Sequence, residues 1–131
     1  MLSLISIYIG GILTLLMAVF HTKFYTIFDW QTDLAKISVM NARIIYTVHF
    51  ALLLLFFMIG IISIIYAVEL SRGTGLSKGL NLILTIFWLW RLIWEFTYFK
   101  RKKGQSLPPR VIVLIFVFIL LFLSYLIPVI Y

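Results

Sequence analysis

Four ionisable residues interrupt otherwise apolar stretches of the sequence: His21, His49, Arg91 and Glu95. Histidine can transfer protons or ligate metals near neutral pH, and glutamate can orient a neighbour or accept a proton. Charged groups inside a membrane cost at least about 2.5–3.5 kcal/mol each, so they face protein or water and often mark function. These four residues are therefore the first candidates for a functional site.

Arg91 and Glu95 are four residues apart, which places both side chains on one face of a helix. In one interpretation they form an intrahelical ion pair that makes both charges tolerable in a membrane. In the other, Arg91 binds an anionic ligand group while Glu95 orients that group or accepts a proton. Arginine suits this role because its planar guanidinium can bind a carboxylate or phosphate with two hydrogen bonds.

The two histidines also allow several interpretations. Each can simply hydrogen-bond to a neighbouring helix. Together, His21 and His49 could be the axial ligands of a haem iron. With Glu95 they could instead form a set of two histidines and one carboxylate that binds zinc or non-haem iron. The sequence has no spacing that is diagnostic of either cofactor, so haem and a divalent metal stay as alternatives.

Composition defines the class of protein. Apolar residues make up 64% of the 131 residues and charged residues 11%, against about 45–50% and 25% in soluble proteins. A soluble fold of this size could not bury so much apolar surface. The composition therefore indicates an integral membrane protein and excludes a soluble enzyme, a disordered tail and a nucleic-acid-binding domain. The sequence has no cysteine, which excludes disulfides, thiolate metal ligands and a cysteine nucleophile.

Four segments are long and apolar enough to cross a bilayer, which takes about 20 residues of helix. We expect one all-α domain over residues 1–131, built as an up-down bundle of four transmembrane helices. The predicted helices cover about 2–22, 43–69, 78–99 and 110–130. Helix four carries few polar residues, so we expect it to be peripheral to the other three.

The distribution of lysine and arginine predicts the orientation. The connection 100–110 contains five of them and the connection 21–43 three, whereas the second connection contains Arg72 and Lys78 alone. By the positive-inside rule, the connections 21–43 and 100–110 are cytoplasmic and both termini lie outside. The net charge of +7 is then explained by orientation and by anionic lipid headgroups. His21, His49, Arg91 and Glu95 all fall towards the cytoplasmic side in this orientation.

Small and polar residues recur at helical spacing and predict which faces of the helices pack together. They form one stripe on each of the first three helices, and helix four adds only a short group near its end. The members are Ser3, Gly10, Thr14, His21 and Tyr25; Asn41, His49, Phe56, Gly60, Ser63 and Ala67; Asn81, Thr85, Trp88, Arg91 or Leu92, Glu95 and Tyr98; and Ser124, Tyr125 and Pro128.

The leading hypothesis is a membrane protein that binds a lipid-like or otherwise hydrophobic ligand, a haem or a metal ion between helices one to three. The predicted ligand-binding residues are His21, Tyr46, Phe56, Trp88 and Arg91. Proton transfer or redox chemistry would use His49, Glu95 and Arg91, with His49 moving the proton. The sequence does not decide whether the protein is an enzyme.

Two alternatives belong to other functional classes. The protein could be a non-catalytic accessory subunit of a larger membrane complex, since a small chain with an apolar fourth helix suits packing against other subunits. It could also form a homo-oligomeric channel or carrier, given its intramembrane charges. The absence of internal repeats and of a charged path through the outer half counts against transport. Membrane lipids are partners in every case, and nucleic acid is not expected.

Single cysteines test the predicted orientation, because the native chain has none. We expect an impermeant thiol reagent added to intact cells to label Ser71→Cys, which lies in the outer connection. Gln31→Cys and Ser106→Cys should react only after the membrane is permeabilised. Labelling of Ser106→Cys in intact cells would contradict the predicted orientation.

Overall fold

The computed structural model describes residues 1–98 and 108–131. Residues 99–107, which include most of the predicted basic connection 100–110, lie outside the described part. In chain order the described helices are α1 (Leu2–His21), α2 (Phe24–Ile27), α3 (Trp30–Leu34), α4 (Val39–Ile65), α5 (Ala67–Ser71), α6 (Gly75–Thr97) and α7 (Pro109–Ile130). Within these residues there is no β-strand. The predicted all-helical class is confirmed.

Four of the described helices, α1, α4, α6 and α7, are long and apolar enough to cross a membrane. Local capping explains where they begin. The Ser38 hydroxyl accepts a hydrogen bond from the Asn41 amide at 3.2 Å, so α4 starts four residues before the predicted boundary. Thr74 and Ser77 form a capping box at the start of α6. Pro109 occupies the first turn of α7, where its missing N–H has no cost.

The long helices form a ring that is incomplete on one side. α1 packs against α4 and α7, and α7 packs against α6. α4 and α6 make only limited backbone approach to each other, and meet mainly through the Phe56 ring, which contacts Phe87 and Trp88. The order around the bundle is therefore α4, α1, α7, α6, with a cleft between α6 and α4.

Two consecutive glycines let α1 approach two helices at once. A Cβ atom on Gly10 would lie 3.0 Å from the Ser124 Cβ of α7, and one on Gly11 would lie 3.2 Å from the Gly60 carbonyl oxygen of α4. Gly60 faces Gly11 in return, with its own added Cβ 3.1 Å from the Gly11 carbonyl oxygen. Small residues allow such close backbone contact between membrane helices.

A hydroxyl network joins three helices just beyond these glycines. The Tyr125 hydroxyl lies 3.2 Å from Thr14 Oγ1 and 3.0 Å from Ser63 Oγ. Thr14 also donates to the Gly10 carbonyl at 2.7 Å. All three hydroxyl-bearing residues are buried. The network satisfies polar atoms that would otherwise be isolated in an apolar interior.

The prediction that helix four is peripheral is wrong. α7 packs along both α1 and α6, and Phe118, Leu121 and Tyr125 are each no more than 1% exposed. The prediction took polar residues as the mark of packing, but α7 is buried mainly through large apolar side chains. Its Tyr125 hydroxyl also shows that the polar interior is not confined to helices one to three.

At the end of the bundle opposite His21, contacts with backbone carbonyls hold the helices together. Asn81 Nδ2 of α6 donates to the Leu70 carbonyl of α5 at 2.8 Å. The turn between α5 and α6 contains Gly73 in the left-handed conformation (φ 60°), directly against the Pro128 carbonyl of α7. Only glycine fits there, because any Cβ would collide with that oxygen.

The outer faces of the long helices are strongly apolar. Phe50 of α4 is 67% exposed, Ile83 of α6 65%, and Phe116 of α7 61%. Such broad apolar exposure is unusual for a soluble monomer, but suits a surface in contact with lipid. Together with the four apolar helices, it suggests a multi-pass membrane protein.

The position of α7 generates a stability prediction. Replacing Leu121, which is fully buried, by alanine leaves a cavity and should lower the free energy of unfolding by about 2–5 kcal/mol. Leu123→Ala is the matched control, because Leu123 is 41% exposed and should change stability by less than about 0.5 kcal/mol. Reversible denaturation in mixed micelles, followed by circular dichroism, measures both. Equal effects of the two substitutions would contradict the packing of α7.

Candidate functional site

A cavity of about 380 Å³ lies between the helices near the His21 end of the bundle. All four long helices contribute to its wall, and most of the lining side chains are aromatic. The lining residues are Met17, His21, Leu52, Phe56, Phe87, Trp88, Trp90, Arg91, Trp94 and Phe118. The side chains of His21 and Arg91 bring the strongest hydrogen-bonding groups to this apolar wall.

A stack of three rings forms the inner part of the wall. Trp88 lies between Phe56 and Phe118, with ring centroids 5.5 and 6.0 Å away and interplanar angles of 25° and 29°. All three residues are buried. The Arg91 guanidinium carbon lies 4.6 Å from the centroid of the Phe118 ring, within the range of a cation–π interaction. The stack therefore links α4, α6 and α7 and supports Arg91.

Arg91 and Glu95 form the ion pair that their spacing predicts. Arg91 Nη1 donates to Glu95 Oε2 at 3.2 Å, and the side chains are 24% and 7% exposed. Glu95 lies beside the cavity and Arg91 on its wall. The pair compensates both charges in an apolar environment. The interpretation of Arg91 and Glu95 as an intrahelical ion pair is therefore confirmed.

The hydrogen bonding of His21 defines its tautomer. His21 Nδ1 lies 2.7 Å from the Met17 carbonyl oxygen, which can only accept a hydrogen bond, so Nδ1 carries the proton. In a neutral ring, Nε2 is then a hydrogen-bond acceptor. His21 is buried and lines the cavity. The residue can therefore receive a proton donor from a bound molecule.

His49 lies outside the cavity, in an aromatic cluster between α4 and the connection from α1. Its Nε2 donates to the His21 carbonyl oxygen at 3.0 Å. The His49 ring stacks on Phe24, with the ring centroids 5.3 Å apart, and makes a T-shaped contact with Trp30, with the centroids 4.8 Å apart. Trp30 also contacts Tyr46 at 6.0 Å. This arrangement satisfies His49 and fixes the end of α1 against α4.

The connection that carries this cluster is held by short local contacts. Asp29 adopts the left-handed conformation (φ 47°) and reverses the chain between α2 and α3. Lys36 Nζ lies 2.8 Å from Asp33 Oδ1, and this hydrogen bond and the charge of Asp33 raise the pKa of Lys36. Both side chains are exposed, so the pair contributes little to stability.

The structure brings only part of the predicted site together. His21, Phe56, Trp88 and Arg91 line one cavity. Tyr46 and His49 belong to the aromatic cluster instead, and Glu95 lies behind Arg91. Across residues 1–98 and 108–131, no three histidine, aspartate or glutamate side chains are close enough to hold a metal ion. His21, His49 and Glu95 are thus not assembled as a metal-binding set.

Sequence reasoning missed most of the aromatic wall. Phe87, Trp90 and Trp94 line the cavity together with Arg91. Their spacing of three and four residues places them on one face of α6. That periodicity is visible in the sequence. Phe118 of α7 was missed because helix four was expected to be peripheral.

Trp88 and Asn81 each keep one buried polar atom unsatisfied. Within the described residues, the Trp88 Nε1 and Asn81 Oδ1 atoms have no hydrogen-bond partner. Such atoms are uncommon in native interiors and call for an explanation. A hydrogen-bond acceptor bound beside Trp88 would satisfy its indole N–H, whereas Asn81 lies two turns away along α6, outside the cavity.

Substitutions of His49 test whether this residue only holds the helices together or also binds a molecule or transfers protons. His49→Gln retains a side-chain N–H donor, so a residue that only bonds the His21 carbonyl should tolerate it at a cost of about 0.6 kcal/mol or less. His49→Leu removes the donor and should cost more, because that carbonyl loses its partner. Unfolding in mixed micelles compares the variants. A well-folded His49→Gln protein that loses activity or a bound molecule would show a chemical role.

Comparison with known proteins adds no relative from which a function could be transferred. No protein-family model, no curated protein and no solved structure matches this chain. The function is therefore argued from the geometry of the cavity and the residues around it.

Proposed function

We propose that this chain is a multi-pass membrane protein that binds a hydrophobic small molecule in the cavity between α4 and α6. Both termini lie outside the cell in this proposal, so the cavity is in the cytoplasmic half of the bilayer. His21, Phe56, Trp88 and Arg91 contact the ligand. Glu95 holds the Arg91 side chain in place through their ion pair.

The observation that carries this proposal is the chemistry of the cavity wall. Small-molecule sites are typically concave, mostly apolar and about 300–1,000 Å³ in volume, with a few polar groups that orient the ligand. This cavity has a volume of about 380 Å³ and an aromatic wall with His21 and Arg91 in it. His21 and Arg91 place polar groups in this otherwise apolar wall, where they can orient a bound molecule.

The position of the cavity supports entry from the lipid phase. The cleft between α4 and α6 is the side of the ring where backbone packing is weakest. Trp90 and Trp94 on the α6 side of the cavity are 48% and 37% exposed, so the lining reaches the outer surface. A molecule dissolved in the bilayer can then enter sideways between the two helices.

Blocking the cleft tests the proposal. Leu52 lines the cavity from α4, whereas Leu54 points away from it and is 51% exposed. We expect Leu52→Trp to fill the cavity and displace co-purifying small molecules, and Leu54→Trp to leave them bound. Mass spectrometry of extracts from the purified variants measures the bound molecules, with equal monodispersity as the folding control.

The outcomes separate ligand binding from the accessory-subunit alternative. A bound molecule that is lost only in Leu52→Trp supports the proposal. Wild-type protein that carries no small molecule, but stays associated with other membrane proteins after extraction, would overturn it in favour of an accessory subunit. Equal retention in both variants would place the ligand elsewhere on the protein.

A further inference from the structure

We infer that the ligand of this cavity carries a hydroxyl group on an uncharged, membrane-soluble body, as in a long-chain alcohol or an alkylphenol. The hydroxyl accepts a hydrogen bond from Trp88 Nε1 and donates one to His21 Nε2. The inference rests on the proposed function and narrows its ligand class. It depends on two ring nitrogens of the cavity wall and on the position of both rings beside Phe56.

The indole nitrogen of Trp88 calls for a hydrogen-bond acceptor. Trp88 belongs to the cavity wall and is only 1% exposed. In the part of the chain that the structure describes, its Nε1–H has no partner, although a buried tryptophan N–H usually has one. A buried donor without an acceptor is destabilising, because the group has lost its hydrogen bonds to water. An oxygen atom of a bound molecule would replace them.

His21 provides the complementary atom. Its Nδ1 donates to the Met17 carbonyl oxygen at 2.7 Å, so Nε2 of the neutral ring can only accept a hydrogen bond. The His21 side chain lines the same cavity as Trp88. Among residues 1–98 and 108–131, the His21 ring makes no second hydrogen bond. A ligand that donates a hydrogen bond would therefore complete its hydrogen bonding.

Phe56 brings the two nitrogen-bearing rings to one part of the wall. The Phe56 ring makes a T-shaped contact with His21, with the centroids 5.2 Å apart. It also stacks on Trp88, with the centroids 5.5 Å apart. All three residues line the cavity. A polar group that binds beside Phe56 is therefore close to both the His21 ring and the Trp88 ring.

The two nitrogens discriminate among the polar groups that membrane-soluble molecules carry. A carbonyl, an ether oxygen or an anionic head group has acceptors alone and would leave His21 unmatched. An ammonium group has donors alone and would leave Trp88 unmatched. A hydroxyl both donates and accepts hydrogen bonds. One hydroxyl therefore complements both rings.

The rest of the wall favours an apolar body behind this hydroxyl. Six of the ten lining residues are phenylalanine or tryptophan, and Met17 and Leu52 add aliphatic side chains. Ligand sites of this kind bind the bulk of a molecule through apolar contacts and orient it with a few polar groups. The lining reaches the outer surface at Trp90 and Trp94, so a body longer than the cavity can extend through the cleft into lipid.

A photoreactive alcohol measures binding to the full-length protein in phosphatidylcholine nanodiscs. Dodecanol with a diazirine in its chain is cross-linked by light, and intact-protein mass spectrometry gives the labelled fraction. The unlabelled competitors share one chain and differ in their polar group: dodecanol, dodecyl methyl ether, dodecane and, at low mole fraction, dodecanesulfonate. Nonylphenol is included to test a hydroxyl on a ring. All competitors are compared at equal concentration in the bilayer.

On the wild-type protein, we expect dodecanol to displace the label and its methyl ether to compete about three- to tenfold more weakly. This factor corresponds to one hydrogen bond, since the ether cannot donate to His21. Dodecanesulfonate has acceptors alone and should be weaker than dodecanol by at least the same factor, and dodecane should be the weakest. Stronger competition by nonylphenol than by dodecanol identifies a ring-bearing ligand, and the reverse identifies a chain alcohol.

Two substitutions separate the roles of the nitrogens. His21→Phe removes the acceptor and should weaken dodecanol about three- to tenfold, but its methyl ether less than about twofold. Trp88→Phe removes the donor and should weaken both the alcohol and the ether about three- to tenfold. His49→Gln and Trp30→Phe alter the same residue types outside the cavity. These controls should leave both competitors unchanged.

Several results would overturn the inference. Equal competition by dodecanol and its methyl ether on the wild-type protein would exclude the hydroxyl, although a label that is blocked by Leu52→Trp would still support the proposed function. Stronger competition by the sulfonate than by the alcohol would identify an anionic ligand instead. Equal weakening by the cavity variants and their controls would reject the roles of His21 and Trp88.

The failure of the inference and that of the proposed function are distinguishable. If the label does not react saturably, the inference is wrong. The proposed function fails with it only when Leu52→Trp also retains every co-purifying molecule. Should His21→Phe or Trp88→Phe not fold, the ranking of the competitors on the wild-type protein decides.

Discussion

The contact of α1 with two helices at Gly10 and Gly11 is the constraint on which the rest of the bundle depends. Gly10 allows close contact with α7, and Gly11 allows close contact with α4. A Cβ atom added to Gly10 would lie 3.0 Å from Ser124 Cβ, and one added to Gly11 would lie 3.2 Å from the Gly60 carbonyl oxygen. Because α1 approaches both so closely, side chains further along meet across three helices. The shared hydrogen bonds of Tyr125 with Thr14 and Ser63 are the direct result. In an apolar phase such contacts replace the hydrophobic force that drives folding in water.

The same arrangement explains why a cavity exists. α4 and α7 are both held on α1, and α6 is held on α7, so no close backbone contact draws α6 towards α4. The cavity lies near the His21 end, whereas the other end is held together by the Asn81 side chain and by the turn at Gly73. Large aromatic rings fill part of the space and leave the remainder open. The cavity is thus a consequence of which helix pairs pack closely and which do not.

Much of this fold could be predicted from residue type and spacing. The stripes on the first three helices contain most of their buried polar residues, and the i, i+4 pair of Arg91 and Glu95 formed as expected. Those signals are local and follow from helical geometry. The place of α7 could not be predicted in the same way, since apolar side chains look alike whether they face lipid or protein. Tertiary packing alone distinguishes Leu121 from Leu123. The division of the histidines between two neighbouring environments also depends on how helices pack across the bundle.

The uneven composition of the helices has a consequence for biosynthesis. Among the four long helices that the structure describes, α6 is the least apolar and α7 the most. Arg91, Glu95 and Asn81 make α6 a poor candidate for independent partitioning into lipid during translation. α7 follows it in the chain and packs along its length, so the two can enter the bilayer as a hairpin in which the strongly apolar partner compensates the weaker one. If the chain is inserted into a bilayer as proposed, a truncation that ends before α7 would remove the apolar partner that compensates for the polar residues of α6.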